Sequence, residues 1–201
     1  MANITTFGTL KSEILAAIGR APADFIYQIV TQEINRDMRI IEMQATTTLT
    51  SSASITLPST FIEIVSAYRD VDPRTILTPT TPDNIHSTYE TSGNPSKFAI
   101  VDDAGTFKML LNRPGSGTIE MRYYAELALM SADEDTNEVL TEYPGIFLYG
   151  SLYHHAALIG DERLGVWGQA YERAKKAAQV SDTNARIAGA PVQPQAPGST
   201  P

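Results

Sequence analysis

The most apolar stretch of the chain is GIFLYGSLYHHAALIG, residues 145–160, which follows Tyr143-Pro144. Proline suits the first turn of a helix and glycine commonly follows its last turn, so the stretch predicts a helix that ends before Gly160. Its bulky side chains lie on adjoining turns: Ile146, Tyr149, Leu152, Tyr153 and Ala156. The stretch carries His154 and His155 and is shorter than the roughly 18 apolar residues of a membrane span, so we expect a packed helix.

Three other segments have the spacing of amphipathic helices. Two precede the middle of the chain, over residues 6–19 and 22–39, and one follows it, over residues 161–180. In each segment, apolar residues recur every three or four positions, which predicts one packed face and one solvated face. We also expect Glu172 to pair with Lys176 one helical turn later.

The middle of the chain is rich in Thr, Ile and Val, a composition that predicts β-structure. Two short runs, residues 46–49 and 55–57, flank small polar residues and predict a hairpin. Other strands are predicted over residues 61–68, 98–101, 107–111 and 118–125. Thr81 as N-cap and Pro82 at the first helical position predict a short helix in this region.

These patterns predict an α+β fold: a helical bundle with an inserted small antiparallel β domain and an extended C-terminal arm. The four expected parts are N-terminal helices over residues 1–39, a β-rich insertion over 40–130, C-terminal helices over 131–182 and a Pro-rich tail over 183–201. The tail holds Pro191, Pro194 and Pro197 and almost no large apolar residue, so it cannot bury a core. It is either a disordered terminus or an arm that orders on a partner.

Composition narrows the range of functions. The chain has 201 residues, 15 Lys and Arg, 23 Asp and Glu, a net charge of −8 and no cysteine. An acidic chain argues against binding by general phosphate neutralisation, which needs a basic surface. The lack of cysteine excludes disulfides, thiol nucleophiles and thiolate zinc sites. We expect a soluble, globular protein.

The sequence carries no local signature of catalysis or metal binding. The adjacent His154 and His155 point about 100° apart on a helix and cannot hold one metal as an i, i+4 pair does. Gly115-Ser116-Gly117 follows a proline rather than a strand, unlike a nucleophile elbow. The acidic residues 133–135 lack the ligand spacing of an EF-hand and are interpreted as a solvated loop. We predict no catalytic residue, metal or cofactor, although a carboxylate pair for glycoside hydrolysis stays open.

Six short segments, taken in their order and spacing, carry a family resemblance. They are Asp24-Phe25-Ile26, residues 33–39 (EINRDMR), residues 55–63 (ITLPSTFIE), Gly93-Asn94-Pro95, residues 121–125 (MRYYA) and residues 143–152 (YPGIFLYGSL). Together they resemble the head-to-tail adaptor (connector) proteins of short-tailed bacteriophages. The resemblance covers the chain from about residue 6 to residue 180.

The resemblance implies a structural virion protein that is not an enzyme. Members of this family look like helical bundles with an inserted β domain, and their copies assemble as a ring, expected to be dodecameric, on the portal. The ring extends the DNA channel and supports the tail nozzle and fibres, while genomic DNA passes without sequence-specific binding. The expected partners are other copies of the chain, the portal and tail proteins. The expected location is the head-to-tail junction of the virion, after synthesis in the host cytoplasm, without membrane contact.

Two groups of residues are candidates for these contacts. The candidate subunit interface consists of large side chains on the predicted helices: Ile26, Tyr149, Tyr153, Trp167 and Tyr171. Such side chains suit either a subunit interface or the core of a monomer. The candidate portal-docking arm consists of residues in the Pro-rich tail: Ala190, Pro191, Val192, Pro194 and Pro197.

Three other functions fit the same sequence. They are a neck or tail-completion protein of another ring, a carbohydrate-binding β module with helical flanks, and an uncharacterised hydrolase. The neighbouring ring distinguishes the first, glycan binding the second, and a pocket with converging polar groups the third.

Overall fold

The computed structural model describes residues 4–20, 22–71 and 74–188, whose contacts form two compact units. The helical unit comprises the chain up to Ile41 and from Leu129 onward, and the β unit comprises Glu42–Ala128. Helices and strands both occur, so the predicted α+β class is confirmed. The predicted division into four parts stays a prediction.

Capping side chains begin some of the helices, and glycine ends two of them. In chain order they are α1 (Phe7–Ile18), α2 (Asp24–Asp37), a 3₁₀ turn (Ile41–Met43), α3 (Pro82–Ser87), α4 (Glu138–Glu142), α5 (Pro144–Ile159) and α6 (Leu164–Ala188). The side chain of Thr6 accepts a hydrogen bond from the Thr9 N–H and caps α1. Gly160, at φ 70°, ends α5 in the left-handed region as predicted. Over the described ranges, no helix combines the length and the apolar character needed to cross a membrane.

The last helix, α6, is longer than the sequence predicts, because it continues past Val180 to Ala188. Asp182 accounts for the extension. Its buried carboxylate accepts a hydrogen bond from the Ile41 N–H at 2.8 Å and pairs with Arg186 at 2.7 Å. The predicted end was wrong because it followed apolar side chains, whereas a carboxylate holds these final turns.

The ion pair predicted between Glu172 and Lys176 is wrong. Glu172 instead pairs with Lys175, whose ammonium nitrogen lies 2.6 Å from the Glu172 Oε1. The Lys175 ammonium lies 4.5 Å from the centre of the Tyr171 ring, which draws the side chain of Lys175 toward the packed face of α6. Lys176 remains exposed.

The eight strands of the β unit form two four-stranded sheets. They are β1 (Gln44–Thr50), β2 (Ser54–Thr56), β3 (Phe61–Arg69), β4 (Thr75–Ile76), β5 (Thr78–Pro79), β6 (Lys97–Asp103), β7 (Thr106–Leu111) and β8 (Thr118–Ala125). The strand order is β1-β8-β3-β4 in one sheet and β2-β7-β6-β5 in the other. All pairs are antiparallel except the parallel pair of β5 and β6, so the predicted antiparallel character of the β domain is confirmed.

The hairpin predicted from residues 46–49 and 55–57 is wrong, because the two strands belong to different sheets. β1 pairs with β8 along its whole length, and β2 pairs with β7. Between β1 and β2 the chain crosses from one sheet to the other. Just after β1, the Ser51 N–H donates to the Gly117 carbonyl at 3.0 Å, next to β8. Just before β2, the Ala53 carbonyl accepts from the Leu111 N–H of β7 at 3.0 Å. The small polar residues therefore form a crossing and not a reversal.

Apolar side chains from both sheets form the core of the β unit. The buried members are Ile55, Leu57, Phe61, Ala67, Leu77, Phe98, Met109, Leu111, Ile119, Met121 and Tyr123. Alternate residues of β8 enter this core, as the period of two along a strand requires. The hairpin predicted between β6 and β7 is confirmed, and Gly105, at φ 81°, lies in its turn.

Gly150 lies where side chains of two other helices pack close to the backbone of α5. A Cβ added there would lie 2.9 Å from the Tyr171 Cε2 and 3.1 Å from the Val30 Cγ1. The residue is on α5, and its two neighbours are on α6 and α2. The absence of a side chain at Gly150 therefore lets α5 pack against both helices.

We predict that Gly150→Val lowers the free energy of unfolding by about 1–3 kcal/mol, because the added methyl groups overpack this contact. Gly165→Ala is the matched control, since an added Cβ meets no atom within 4 Å there. The control leaves stability unchanged or raises it by up to about 1 kcal/mol, the helix propensity difference. Urea unfolding followed by circular dichroism measures both. Equal stability of Gly150→Val and the wild type would contradict the close packing.

Candidate functional site

The structure brings four of the predicted interface residues together where α5 packs against α6. The rings of Tyr149 and Trp167 stack with their centres 6.3 Å apart and an interplanar angle of 22°. The rings of Tyr153 and Tyr171 stack in the same way, also at 6.3 Å, with an angle of 28°. We call these four residues the aromatic seam. The seam joins the two longest helices of the described chain.

A second glycine supports the aromatic seam from α6. A Cβ added at Gly168 would lie 3.2 Å from two ring carbons of Tyr153, so the ring packs directly on the helix backbone. Glycine within a helix weakens it, and the sequence alone indicates no other role for Gly168. Its position shows that it instead makes room for an aromatic ring.

The predicted interface residues differ in how much surface they present. Ile26 and Tyr171 are buried within the helical unit, at 1% and 2% exposure. Tyr149, Tyr153 and Trp167 are half-buried and remain partly accessible. A contact role for all five stays a prediction, and the three half-buried rings are the ones that present surface to a partner.

A hydrogen-bonded network lies beside the aromatic seam and was not found by sequence reasoning. The Tyr171 hydroxyl donates to the Glu33 Oε2 at 3.1 Å, and the His154 Nε2 lies 3.1 Å from the same oxygen. Burial, followed by the charge of Glu33 and its hydrogen bond, raises the pKa of Tyr171 well above its usual value. The Tyr171 hydroxyl therefore stays protonated and holds α6 to α2.

Two grooves run along α6 on the side that faces α2. One, of about 320 Å³, is lined by Glu33, Arg36, Asp37, Tyr153, Gly168, Tyr171, Glu172 and Lys175. The other, of about 440 Å³, is lined by Asp37, Met38, Glu172, Arg173, Lys175, Lys176 and Gln179. Charges in the first groove are paired: the Arg36 Nε lies 2.7 Å from the Asp37 Oδ1, and this hydrogen bond lowers the pKa of Asp37. The lining suits contact with another surface and provides no activated nucleophile.

The acidic residues 133–135 form a hydrogen-bonded loop in which Asp133 and Glu134 are exposed, as the interpretation of a solvated loop predicts. The Asp135 carboxylate accepts from the N–H groups of Ser131 at 2.7 Å and Ala132 at 2.8 Å, which lowers the pKa of Asp135. The backbone carbonyls of Asp133 and Asp135 accept from the first N–H groups of α1. The loop therefore caps α1, which a search for metal-ligand spacing does not reveal.

The two adjacent histidines have different surroundings. His154 contacts Glu33, whereas His155 is 5% exposed and its Nδ1 has no hydrogen-bond partner among the described residues. Burial, with a smaller effect from the positive charge of Arg20, lowers the pKa of His155 below its ordinary value of 6.5. Across the described ranges, no group of three or more His, Cys, Asp or Glu side chains has the geometry of a metal site.

The candidate portal-docking arm lies outside the described residues. It comprises Ala190, Pro191, Val192, Pro194 and Pro197. Its role stays a prediction. The described chain approaches it through α6, which ends at Ala188.

The fold and the aromatic seam indicate a protein that acts through contacts of its helical unit, with a β unit inserted between the helices. A comparison with protein families identifies the family to which it belongs. The model of the SU10 adaptor protein family matches residues 5–195. The chain belongs to the SU10 adaptor protein family, and the resemblance to phage head-to-tail adaptors is confirmed. A comparison with curated proteins gives no match.

Family membership supports a structural role. The protein is a phage adaptor, a component of the virion at the head-to-tail junction that interacts with portal and tail components. The contact geometry of the helical unit agrees with this role, because it pairs aromatic rings and leaves three of them partly accessible.

We predict that Glu33→Ala lowers the free energy of unfolding by about 1–3 kcal/mol, because it leaves the buried Tyr171 hydroxyl without its acceptor. Tyr171→Phe removes the donor and serves as the matched variant. A double-mutant cycle, measured by urea unfolding, should give a coupling of about 1 kcal/mol between the two sites. Additive effects of the two substitutions would show that the hydrogen bond does not contribute.

We predict that the protein loses stability as the pH falls from about 7.5 through 6.5 and below. The unfolded chain binds a proton at His155 near pH 6.5, whereas the folded chain binds it only at lower pH, so acid favours unfolding. His155→Gln should flatten this pH dependence, while His86→Gln, at an exposed position, should not. Urea midpoints at about pH 7.5 and 5.5 measure the difference. Equal slopes for His155→Gln and the wild type would contradict the assignment.

Proposed function

We propose that the chain assembles as a closed ring on the portal, extends the DNA channel and supports the tail nozzle and fibres. The match of the SU10 adaptor family over residues 5–195 carries this proposal. The role rests on shape and contact, and it requires no catalytic step or cofactor.

The half-buried aromatic rings support the proposed assembly. Aromatic side chains are enriched at protein interfaces because they bury a large area with few rotatable bonds. Tyr149, Tyr153 and Trp167 are partly accessible on the helical unit. A ring needs head-to-tail contacts, in which one face of a subunit meets a different face of the next. We propose that these three rings contribute to one of those faces.

The charge of the chain supports the passage of DNA through the proposed ring. The net charge is −8, and several basic side chains are already paired with acids, among them Arg36, Arg163 and Lys175. A basic lumen would bind phosphates through release of counterions and retain the DNA. An acidic subunit lets the genome slide without sequence-specific contacts.

We propose that the Pro-rich residues 190–197 dock on the portal. Proline-rich segments lose little conformational entropy when they bind in an extended form. The segment follows α6 directly, and α6 is anchored to the helical unit through Asp182 and Ile41. The helix that precedes the arm in sequence is therefore held to the helical unit six residues before its end.

We predict that the purified chain adds ring-shaped density to the portal of the same virus in electron micrographs. A variant truncated after Ala188 should melt at the same temperature and bind the portal about tenfold more weakly, because it lacks the arm. A variant with residues 190–201 in shuffled order is the matched control for length and composition, and it should also bind weakly. Wild-type affinity of the truncated variant would contradict a docking role for the arm. A wild-type chain that adds no density to the portal would contradict the adaptor proposal itself.

A further inference from the structure

The outward face of α6 carries a stripe of regularly spaced residues that is apolar except at Arg173. Val166, Arg173, Val180 and Ile187 are seven residues apart, and Ala170 and Ala177 follow the first two of them by four residues. Residues at this spacing lie along one side of a helix and form the contact seam of a coiled coil. The opposite side of α6 packs inward through Tyr171, Ala178 and Asp182, which are all buried. The stripe therefore faces away from the helical unit's own core.

Ala170 is half-buried, and the other apolar members of the stripe are exposed. Val166 is 63% exposed, Val180 50% and Ile187 56%. Single exposed apolar residues are ordinary on a protein surface, but a line of them at helical spacing is typical of a contact site. We call these residues, with Arg173, the α6 stripe.

Two cations beside the α6 stripe have no partner in the part of the chain that the structure describes. They are Arg173, within the stripe, and Lys176, next to it; both are exposed and line the groove of about 440 Å³ with Asp37 and Met38, so they lie on the flank of α6 between the outward face and α2. The other cations of this region are paired: Lys175 with Glu172 and Arg186 with Asp182. Two unpaired positive charges therefore lie on this flank of α6, in a chain of net charge −8.

An edge of opposite charge lies elsewhere on the helical unit. Glu134, Glu138 and Glu142 are exposed, and each lacks an ion pair within the described ranges. Glu138 and Glu142 are one turn apart on α4, so their carboxylates lie on the same side of it. The neighbouring Asp133 is already paired with Lys11. We call the three glutamates the acidic edge.

We propose that the α6 stripe binds a second copy of the chain, whose acidic edge faces Arg173 and Lys176. The chain carries both halves of a complementary charge pattern, and within one copy they form no ion pair among the described residues. The two halves are different surfaces, so the contact is heterologous and repeats from copy to copy. This inference rests on the proposed ring and specifies the contact that closes it.

Charge reversal tests the pairing. The first variant carries Arg173→Glu and Lys176→Glu, so that its α6 stripe and its acidic edge are both acidic. The second variant carries Glu134→Lys, Glu138→Lys and Glu142→Lys, so that both surfaces are basic. Because like charges repel across the contact, each variant alone should assemble about tenfold less well or worse, both in concentrated solution and on the portal. A mixture of the two variants should restore assembly, since acidic and basic subunits then alternate. Arg122→Glu, at an exposed position on β8, is the matched control and should assemble like the wild type.

Cross-linking tests which surfaces meet. The chain has no cysteine, so Ala177→Cys on the α6 stripe and Glu138→Cys on the acidic edge each introduce a single thiol. A bismaleimide should join the two variants into dimers when they are mixed, and neither variant alone should form dimers. Dimers from Ala177→Cys alone would show that two stripes meet each other, and would overturn the heterologous contact.

The possible outcomes separate this inference from the adaptor proposal. If the wild type adds a ring to the portal but both charge-reversed variants assemble normally, the inference is wrong and the adaptor proposal stands. If the wild type adds nothing to the portal but the mixed thiol variants cross-link, the adaptor proposal is wrong and the contact between copies stands. If charge reversal removes only portal binding and leaves assembly between copies intact, the stripe binds the portal and the inference is overturned.

Discussion

The packing around Tyr171 is the interaction on which the helical unit depends. Its ring lies against the bare backbone of Gly150, its hydroxyl donates to Glu33, and the Lys175 ammonium lies over its face. These contacts join α6 to α5 and to α2 at one position. A buried hydroxyl needs a partner, and a glycine that admits a ring cannot be replaced by a larger residue without displacing it. The side chain of Tyr171 therefore holds the helices together through two contacts, an apolar one of its ring with Gly150 and a polar one of its hydroxyl with Glu33.

Local chemistry in the sequence was sufficient to locate most helices and strands, and insufficient to pair the strands. As expected, α5 begins at Pro144 and ends before Gly160, because the caps of a helix depend on neighbouring residues alone. The hairpin predicted over residues 46–57 failed because both short runs have strong β propensity and the choice of partner depends on distant strands. The end of α6 was missed because Asp182 is held by the N–H of Ile41, which is remote in sequence.

The candidate site was predictable in its composition but not in its exposure. Helical spacing was enough to select Tyr149, Trp167 and Tyr171 as contact residues of the two C-terminal helices, and their rings stack where α5 packs against α6. The same spacing could not reveal that Tyr171 is buried against α2. A periodic pattern predicts which face of a helix is packed, but it does not identify the element that packs against that face. Glu33 was not singled out from the sequence because its partners come from two other helices.

The pairing of β1 with β8 has an evolutionary consequence. These strands are the first and last of the β unit, and Gln44 lies opposite Tyr124, so the insertion begins and ends on adjacent strands about 5 Å apart. An inserted unit whose ends are neighbours can be deleted and replaced by a short loop, or exchanged for another unit. Neither change requires a change in the helical segments on either side of it. Divergence of the inserted module can thus proceed independently of the helices that carry it.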